Sequence, residues 1–295
     1  MTRHQFDLLC HLEHDRTAHT QRELAGALEK SLGTVNKTMM ELANAGLVED
    51  GRITQKGIDA LEPYRVKRAV FIAAGFGSRL VPITLNTPKP LVRVNGVRII
   101  DTLLDAVLAA GIEDITIVRG YLSEQFDQLL YKYPMIKFIE NPAYNEANNI
   151  SSAMCARYLL SNAYVFEADL LLYNPAVVTK YQYCSNYLAV PVEKTDDWCF
   201  YTSRGYISKM CVGGTHCYQM CGISYWTEKD GARLAQHIQQ VYSMPGGKER
   251  YWDQVALEYY LKEYRVGVRP CTLDDIVEID TYRELKQLDS TYDAS

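Results

Sequence analysis

Apolar residues fall into two rhythms along this chain, and the change comes near residue 65. Ahead of it the spacing is helical. Phe6, Leu8, Leu9 and Leu12 give residues 2–14 one apolar face, and Thr20 with Glu23 forms a capping-box pattern ahead of Leu24, Ala25 and Leu28. Ser31 to Ala45 then places Val35, Met39 and Leu42 on one side and stops at Gly46, a residue type that ends helices readily. Leu47 to Thr54 predicts two short strands around an Asp50-Gly51 turn. Three helices and a hairpin predict a small winged helix-turn-helix domain over residues 1–63, and the pattern breaks at Leu61-Glu62-Pro63-Tyr64-Arg65.

From residue 67 to residue 295 short apolar runs alternate with helical stretches. Strands are predicted at 70–72, Asp114–Arg119, Met135–Ile139 and Ala163–Phe166. Helices are predicted at Ile99–Ala110, Ser123–Tyr131 and Asn149–Leu160, the first ended by Gly111. Strands spaced by helices imply an α/β domain with a doubly wound, mostly parallel sheet, whose ligand sits at the carboxyl ends of the strands. Apolar and acidic residues alternate from Ile276 to Asp280, so Glu278 and Asp280 share one face of a strand. Tyr282 begins a closing helix.

Length and charge narrow the classes. A chain of 295 residues has room for one or two domains with a large core, and its net charge of −5 implies no general affinity for nucleic acid or anionic membrane. No apolar run approaches the roughly 20 residues that span a bilayer. The eight cysteines, at 10, 155, 184, 199, 211, 217, 221 and 271, show no Cys-x-x-Cys pair, and no signal peptide precedes them. A reduced, cytoplasmic protein is expected. Cys211, His216, Cys217 and Cys221 are close enough to suggest zinc, but residues 216–226 alternate like a core strand, which disfavours it. In the front domain Ser31, Thr34, Asn36, Lys37 and Thr38 offer suitable chemistry to a DNA groove. Eight basic against ten acidic residues over 1–66 argue the other way, so DNA is a disfavoured partner and docking or scaffolding is expected.

The chemistry concentrates at residues 72–90, Ile-Ala-Ala-Gly-Phe-Gly-Ser-Arg-Leu-Val-Pro-Ile-Thr-Leu-Asn-Thr-Pro-Lys-Pro. Glycines at 75 and 77 free backbone N–H groups for an anion, Arg79 can grip phosphate oxygens in a fork, and Lys89 stands stiffened between two prolines. Such a set suits a nucleoside triphosphate. Its spacing is neither a Walker loop nor a dinucleotide fingerprint. Asp169, following the strand at 163–166, stands at a carboxyl end opposite the loop and is placed to hold Mg²⁺.

The string Ala-Ala-Gly-x-Gly-Ser-Arg-Leu, then Thr-Pro-Lys-Pro-Leu, resembles the signature of sugar-phosphate and choline-phosphate nucleotidyltransferases, Rossmann-like enzymes. Further along come Asn141-Pro142-x-Tyr144, Asn148-Asn149-Ile150-x-Ser152, Glu-Ala-Asp169, Asp-Trp198, Gly-Ile-Ser-Tyr-Trp226, Tyr-Trp252-Asp253 and Glu-Ile-Asp280. In order and spacing these are similar to bacterial CTP:phosphocholine cytidylyltransferases over about residues 67–290; the front domain departs from the simplest members. The resemblance implies transfer from CTP to phosphocholine, giving CDP-choline and pyrophosphate. It assigns Asp169 and Asp280 together to the metal. It makes Arg79, Lys89, Asp169 and Asp280 the catalytic set, and Ala73, Ala74, Gly75, Phe76, Gly77 and Ser78 the phosphate loop. Gly120, Tyr121, Asn149, Ser151 and Ser152 become candidates for the cytosine and ribose.

A quaternary ammonium donates no hydrogen bonds and is held by aromatic faces plus a carboxylate. The same resemblance makes Trp198, Trp226, Tyr251, Trp252 and Asp253 the candidates for the choline site. Other acceptors fit the same chemistry: a sugar 1-phosphate, a polyol phosphate or aminoethylphosphonate. A winged-helix regulator that senses CTP or CDP-choline is the reading from a different class.

Overall fold

The computed structural model describes residues 1–17 and 19–294. Its chain divides into two compact units, Met1–Arg65 with Tyr181–Tyr183, and Val66–Lys180 with Cys184–Ser295.

In the first unit, α1 (Arg3–His14) and α2 (Gln21–Ala27) each begin with a complete capping box, from Thr2 with Gln5 and from Thr20 with Glu23. Each such cap is worth about 1 kcal/mol, because it satisfies N–H groups the helix cannot pair itself. Ser31 caps α3 (Leu32–Asn44), and β1 (Val48–Glu49) pairs antiparallel with β2 (Arg52–Ile53) as the wing. A helix not anticipated, α4 (Gln55–Leu61), follows under a cap from Thr54. Phe6, Leu9, Leu12, Leu24, Val35, Leu42 and Leu61 form the core, which Tyr181 joins. Tyr183 stacks on Tyr64 at 5.7 Å. Thr38 departs from expectation: it is buried, and its hydroxyl donates to the Thr34 carbonyl at 2.8 Å, so α3 presents Ser31, Asn36 and Lys37 but not Thr38.

The second unit is built on β3 (Arg68–Ile72). Two two-residue strands, β4 (Arg93–Val94) and β5 (Val97–Arg98), precede α5 (Ile99–Ala109); then come β6 (Asp114–Arg119), β7 (Lys137–Glu140), α6 (Ile150–Ala156), β8 (Ala163–Glu167) and β9 (Leu170–Leu172). A long antiparallel hairpin, β10 (Asn186–Ser203) and β11 (Tyr206–Trp226), leads to α7 (Glu228–Tyr242), the short α8 (Trp252–Gln254), β12 (Gly267–Pro270), β13 (Ile276–Glu278) and α9 (Tyr282–Leu288). The seven-stranded sheet runs β10-β12-β11-β8-β3-β6-β7. Its β8-β3-β6-β7 half is parallel, and β11 joins β8 antiparallel.

The continuous apolar run of β3 reflects burial on both faces. Ala69 and Phe71 point into one core layer with Leu103, Leu104 and Val107 of α5, while Val70 and Ile72 point into the other with α6 and α7. Phe71 stacks on Phe166 at 4.7 Å. Residues 123–131 form a 3-10 helix rather than an α-helix, with Phe126 and Leu129 buried under the sheet. No helix among the described residues is long and apolar enough to cross a membrane.

Candidate active site

Because β3 and β8 are parallel neighbours with Ile72 opposite Glu167, the glycine loop and Glu167-Ala168-Asp169 leave the sheet at the same edge. A second pairing completes the site. β13 runs antiparallel to β9 with Glu278 opposite Leu170, and the Ile279 N–H donates to the Asp169 carbonyl, which brings Glu278 and Asp280 beside Asp169. These elements enclose one end of a cavity of about 500 Å³.

At this end the loop turns on Gly77, whose φ of +61° is left-handed and whose Cα has no room for a methyl, since a Cβ would meet Lys89 Cβ at 2.9 Å. Gly75, Gly77, Ser78 and Arg79 line the cavity, as does Ala73, while Phe76 is turned out beside Tyr121. Lys89 is only 7% exposed. Its Nζ lies 2.8 Å from Asp169 Oδ2 and 3.4 Å from Asp280 Oδ1, and Arg79 Nη2 lies 2.7 Å from the same Asp280 oxygen. Burial alone would lower the lysine pKa, but Asp169, Asp280 and Glu278 outweigh it and hold Lys89 charged above its ordinary range.

Asp169, Glu278 and Asp280 bring carboxylate oxygens within 4.8 Å of one another. Burial, then the charges of Asp169 and Asp280, push Glu278 up to about 9. Asp169 Oδ1 is buried with no hydrogen-bond partner among the described residues. A hard divalent cation fits this set: oxygen donors, converging, with one buried oxygen otherwise unsatisfied.

The other end of the cavity is walled by the long hairpin and by α8. A bulge between Thr195 and Trp198 breaks the β10 register, and Trp198 meets Tyr251 edge to face at 5.7 Å. Trp198, Met210, Met220, Tyr251, Asp253 and Glu167 all line the space. Trp226 and Trp252 do not. They are 0% and 2% exposed, 6.1 Å apart in the core with Tyr187, so of the five residues expected for choline Trp198, Tyr251 and Asp253 line the cavity. The physical reason for Trp226 is strand phase: Tyr225 points into one core layer and Trp226 into the other.

Asp253 accepts a hydrogen bond from Tyr187 Oη at 2.6 Å, and burial pushes its carboxyl up to about 6. Glu167 is driven well above the ordinary carboxylate range by burial, then by Asp253. Asn149 lines the cavity, yet its amide is engaged: Nδ2 donates to Glu167 Oε1 and Oδ1 accepts from the Trp252 N–H. Ser151 and Ser152 are buried, both receive hydrogen bonds from Asn141 Nδ2, and they lie behind the residues that line the cavity. Gly120 packs closely against Tyr144, and Tyr121 ties its N–H to the Ala74 carbonyl and its hydroxyl to the Thr84 carbonyl, which braces the loop; neither is among the residues lining the cavity. Glu167 and Glu278 have no role that the sequence alone assigns. The second was legible as the strand-mate of Asp280; the first reads only as the end of an apolar strand.

Known proteins resemble the chain in sequence and in fold. A family model described as Nucleotidyl transferase matches residues 68–171, and one described as Winged helix-turn-helix DNA-binding matches residues 1–49. The 2-aminoethylphosphonate cytidylyltransferase of Lancefieldella rimae is 36% identical over 228 residues, 76% of this chain and 92% of that protein. The choline-phosphate cytidylyltransferase of Streptococcus pneumoniae is 31% identical over 226 residues, 75% of this chain and 96% of that one. The solved structure of the CTP:phosphocholine cytidylyltransferase from Streptococcus pneumoniae superposes with a TM-score of 0.71 at 31% identity, covering 77% of this chain and 99% of that chain. The parallel sheet, the loop beside it and these relatives agree: the chain belongs to the nucleotidyl transferase family, among its cytidylyltransferases, and carries a winged helix-turn-helix segment at its front.

Proposed function

We propose that the chain transfers the cytidylyl group of CTP to a small ammonium-bearing phosphate or phosphonate and releases pyrophosphate. The observation that carries this is one cavity with two unlike ends, a glycine loop with Arg79 and Lys89 at one, and aromatic and acidic side chains at the other. Relatives with the same framework are named for 2-aminoethylphosphonate and for choline phosphate, and both acceptors have this anion-plus-ammonium form.

An acceptor oxygen already carries negative charge, so no general base is needed, and catalysis is alignment plus charge stabilisation. Backbone N–H groups between Ala74 and Ser78, with Arg79, hold the β- and γ-phosphates. Lys89 stabilises the α-phosphate while an acceptor oxygen attacks phosphorus in line and the bond to pyrophosphate breaks. Asp169 and Asp280, joined by Glu278, would hold Mg²⁺, which when bound neutralises phosphate charge. Trp198 and Tyr251 cover the acceptor's ammonium end, and Asp253 supplies charge to it.

The sensor reading has less support, because Lys89 is buried in contact with both aspartates where a transferred phosphate needs a cation. Pyrophosphate release, measured with CTP, ATP, GTP and UTP against phosphocholine, 2-aminoethylphosphonate and sugar 1-phosphates, tests the proposal. Turnover is expected with CTP and the ammonium acceptors. Activity confined to sugar phosphates or to a purine nucleotide would refute it.

A further inference from the structure

We infer that Cys199 and Cys211 close a reversible disulfide that turns turnover down, a thiol switch on the face of the long hairpin away from the cavity. All eight cysteines are free thiols. Among the described residues two pairs bring their sulfurs to 3.8 Å, Cys199 with Cys211 and Cys221 with Cys271. The pairs differ in access. Cys221 and Cys271 are both buried, so a dissolved reagent reaches neither, whereas Cys211 is partly exposed. Cys199 is buried behind it, and burial, then the thiols of Cys217 and Cys211, pushes it up to about 12. Cys211 is thus the thiol that meets an oxidant, and Cys199 the one that resolves the product.

The chain path brings these thiols together. β10 is flanked on both edges at Cys199 and Phe200, by Cys211 and Met210 on one and by Gln219 and Tyr218 on the other, because β11 turns back at Gly213, whose φ is +72°. A Cβ on the next residue, Gly214, would meet Cys199 Sγ at 2.8 Å and Cys217 Sγ at 3.1 Å, so a third thiol stands at the turn. Successive residues of a strand face opposite ways. Trp198 and Met210, each one residue ahead of a cysteine of the pair, line the cavity, and neither cysteine does. A bond between Cys199 and Cys211 therefore ties together the two backbones that carry two wall residues, without any thiol entering the site.

The oxidant is a low-molecular-weight disulfide. The Cys211 thiolate attacks one of its sulfurs, the reagent's S–S bond breaks, and one thiol leaves; Cys199 Sγ then attacks Cys211 Sγ and expels the second thiol. Two electrons pass to the reagent, and each leaving thiolate takes up a proton that a cysteine has given to solvent. The two cysteine sulfurs go from 3.8 Å to about 2 Å apart. Strands drawn together there shift Trp198 and Met210, and displacements of that order in residues that position a substrate cost about tenfold or more in rate. In a reducing compartment such a bond is transient, which suits a switch rather than a staple. The bond itself is independent of the cytidylyl-transfer reading above; its effect on turnover rests on that reading.

The test incubates the whole chain in glutathione buffers from fully reduced to fully oxidised, unfolds it in iodoacetamide to block free thiols, and maps disulfides by mass spectrometry of the digest. A Cys199–Cys211 bond that dithiothreitol reverses is expected, with Cys221 and Cys271 recovered as alkylated thiols. Pyrophosphate release from CTP with Mg²⁺ then compares the two forms. In the oxidised chain kcat/KM for phosphocholine or 2-aminoethylphosphonate should fall by about tenfold and recover on reduction, while KM for CTP stays within about twofold. Cys211→Ser should keep the activity of the reduced form and lose the response, and Cys217→Ser should keep both. An internal bond other than Cys199–Cys211, or none, overturns the inference, and so does a Cys199–Cys211 bond that leaves turnover unchanged. A reduced chain that releases no pyrophosphate with any acceptor overturns the cytidylyl-transfer reading instead, and the map still decides the bond.

Discussion

Asp253 is a carboxyl group that is 3% exposed, and its partner is a phenol rather than a base. Its folded-state pKa of about 6 lies above the ordinary 3.8, so between those values the folded protein holds more protons than the unfolded chain. The stability this group contributes is therefore fully present below about pH 4, falls as pH rises through the window, and levels off above about pH 6. A difference of that size between folded and unfolded chain corresponds to about 3 kcal/mol. Urea unfolding of the wild type and of Asp253→Asn from pH 4 to 7 should diverge, with the wild type losing stability relative to the variant as pH rises. Parallel curves would show that Asp253 is not held in this way. Residue identity alone says little here. Trp198 and Trp226 look equivalent in a string of letters, yet one lines the cavity and the other is sealed between sheet and helix.

At the level of elements, the loop after β3 depends on a left-handed turn at Gly77. Alanine there meets both the positive φ and the Lys89 side chain, so Gly77→Ala should displace Lys89 from Asp169, lower kcat by about 10²-fold or more and destabilise the fold by about 1–3 kcal/mol. A variant with wild-type turnover would mean that the loop does not need this geometry. Strands buried on both faces, such as β3 and β8, were legible because an unbroken apolar run has few other uses. So was the glycine loop, whose residues are contiguous. β10 was not legible. Its stretch Glu193-Lys194-Thr195-Asp196-Asp197 is polar and carries a bulge, so the alternation that marks a strand is lost just where the strand turns Trp198 toward the cavity. Residues 123–131 carry helical spacing at Phe126 and Leu129, which a 3-10 helix serves almost as well. Glu167 drew no reading because what leaves room for its carboxylate is Gly222, 55 positions away, and periodicity records only what is near in sequence.

At the scale of the whole molecule, charge and chain path matter more than any one contact. The wing carries Glu49, Asp50 and Arg52, and α3 exposes Leu32 and Met40 alongside Lys37. That is a poor footprint for a polyanion. The first unit is also not one stretch of sequence: the chain leaves it at Arg65 and re-enters it for Tyr181–Tyr183. In the re-entrant segment the Gln182 N–H donates to the Tyr64 carbonyl, and the Tyr183 hydroxyl donates to the Met1 carbonyl. No single cut can therefore release a complete winged domain. A chain beginning at Val66 should melt several degrees lower, its Tyr181 and Tyr183 having lost their packing, each worth about 2 kcal/mol. A separately made 1–65 fragment added in trans should recover that loss, and Tyr181→Ser with Tyr183→Ser should prevent the recovery. The peptide bond at residue 65 would then be a tether rather than a boundary, and the two halves of the winged unit would behave as a split protein reassembled around three borrowed residues.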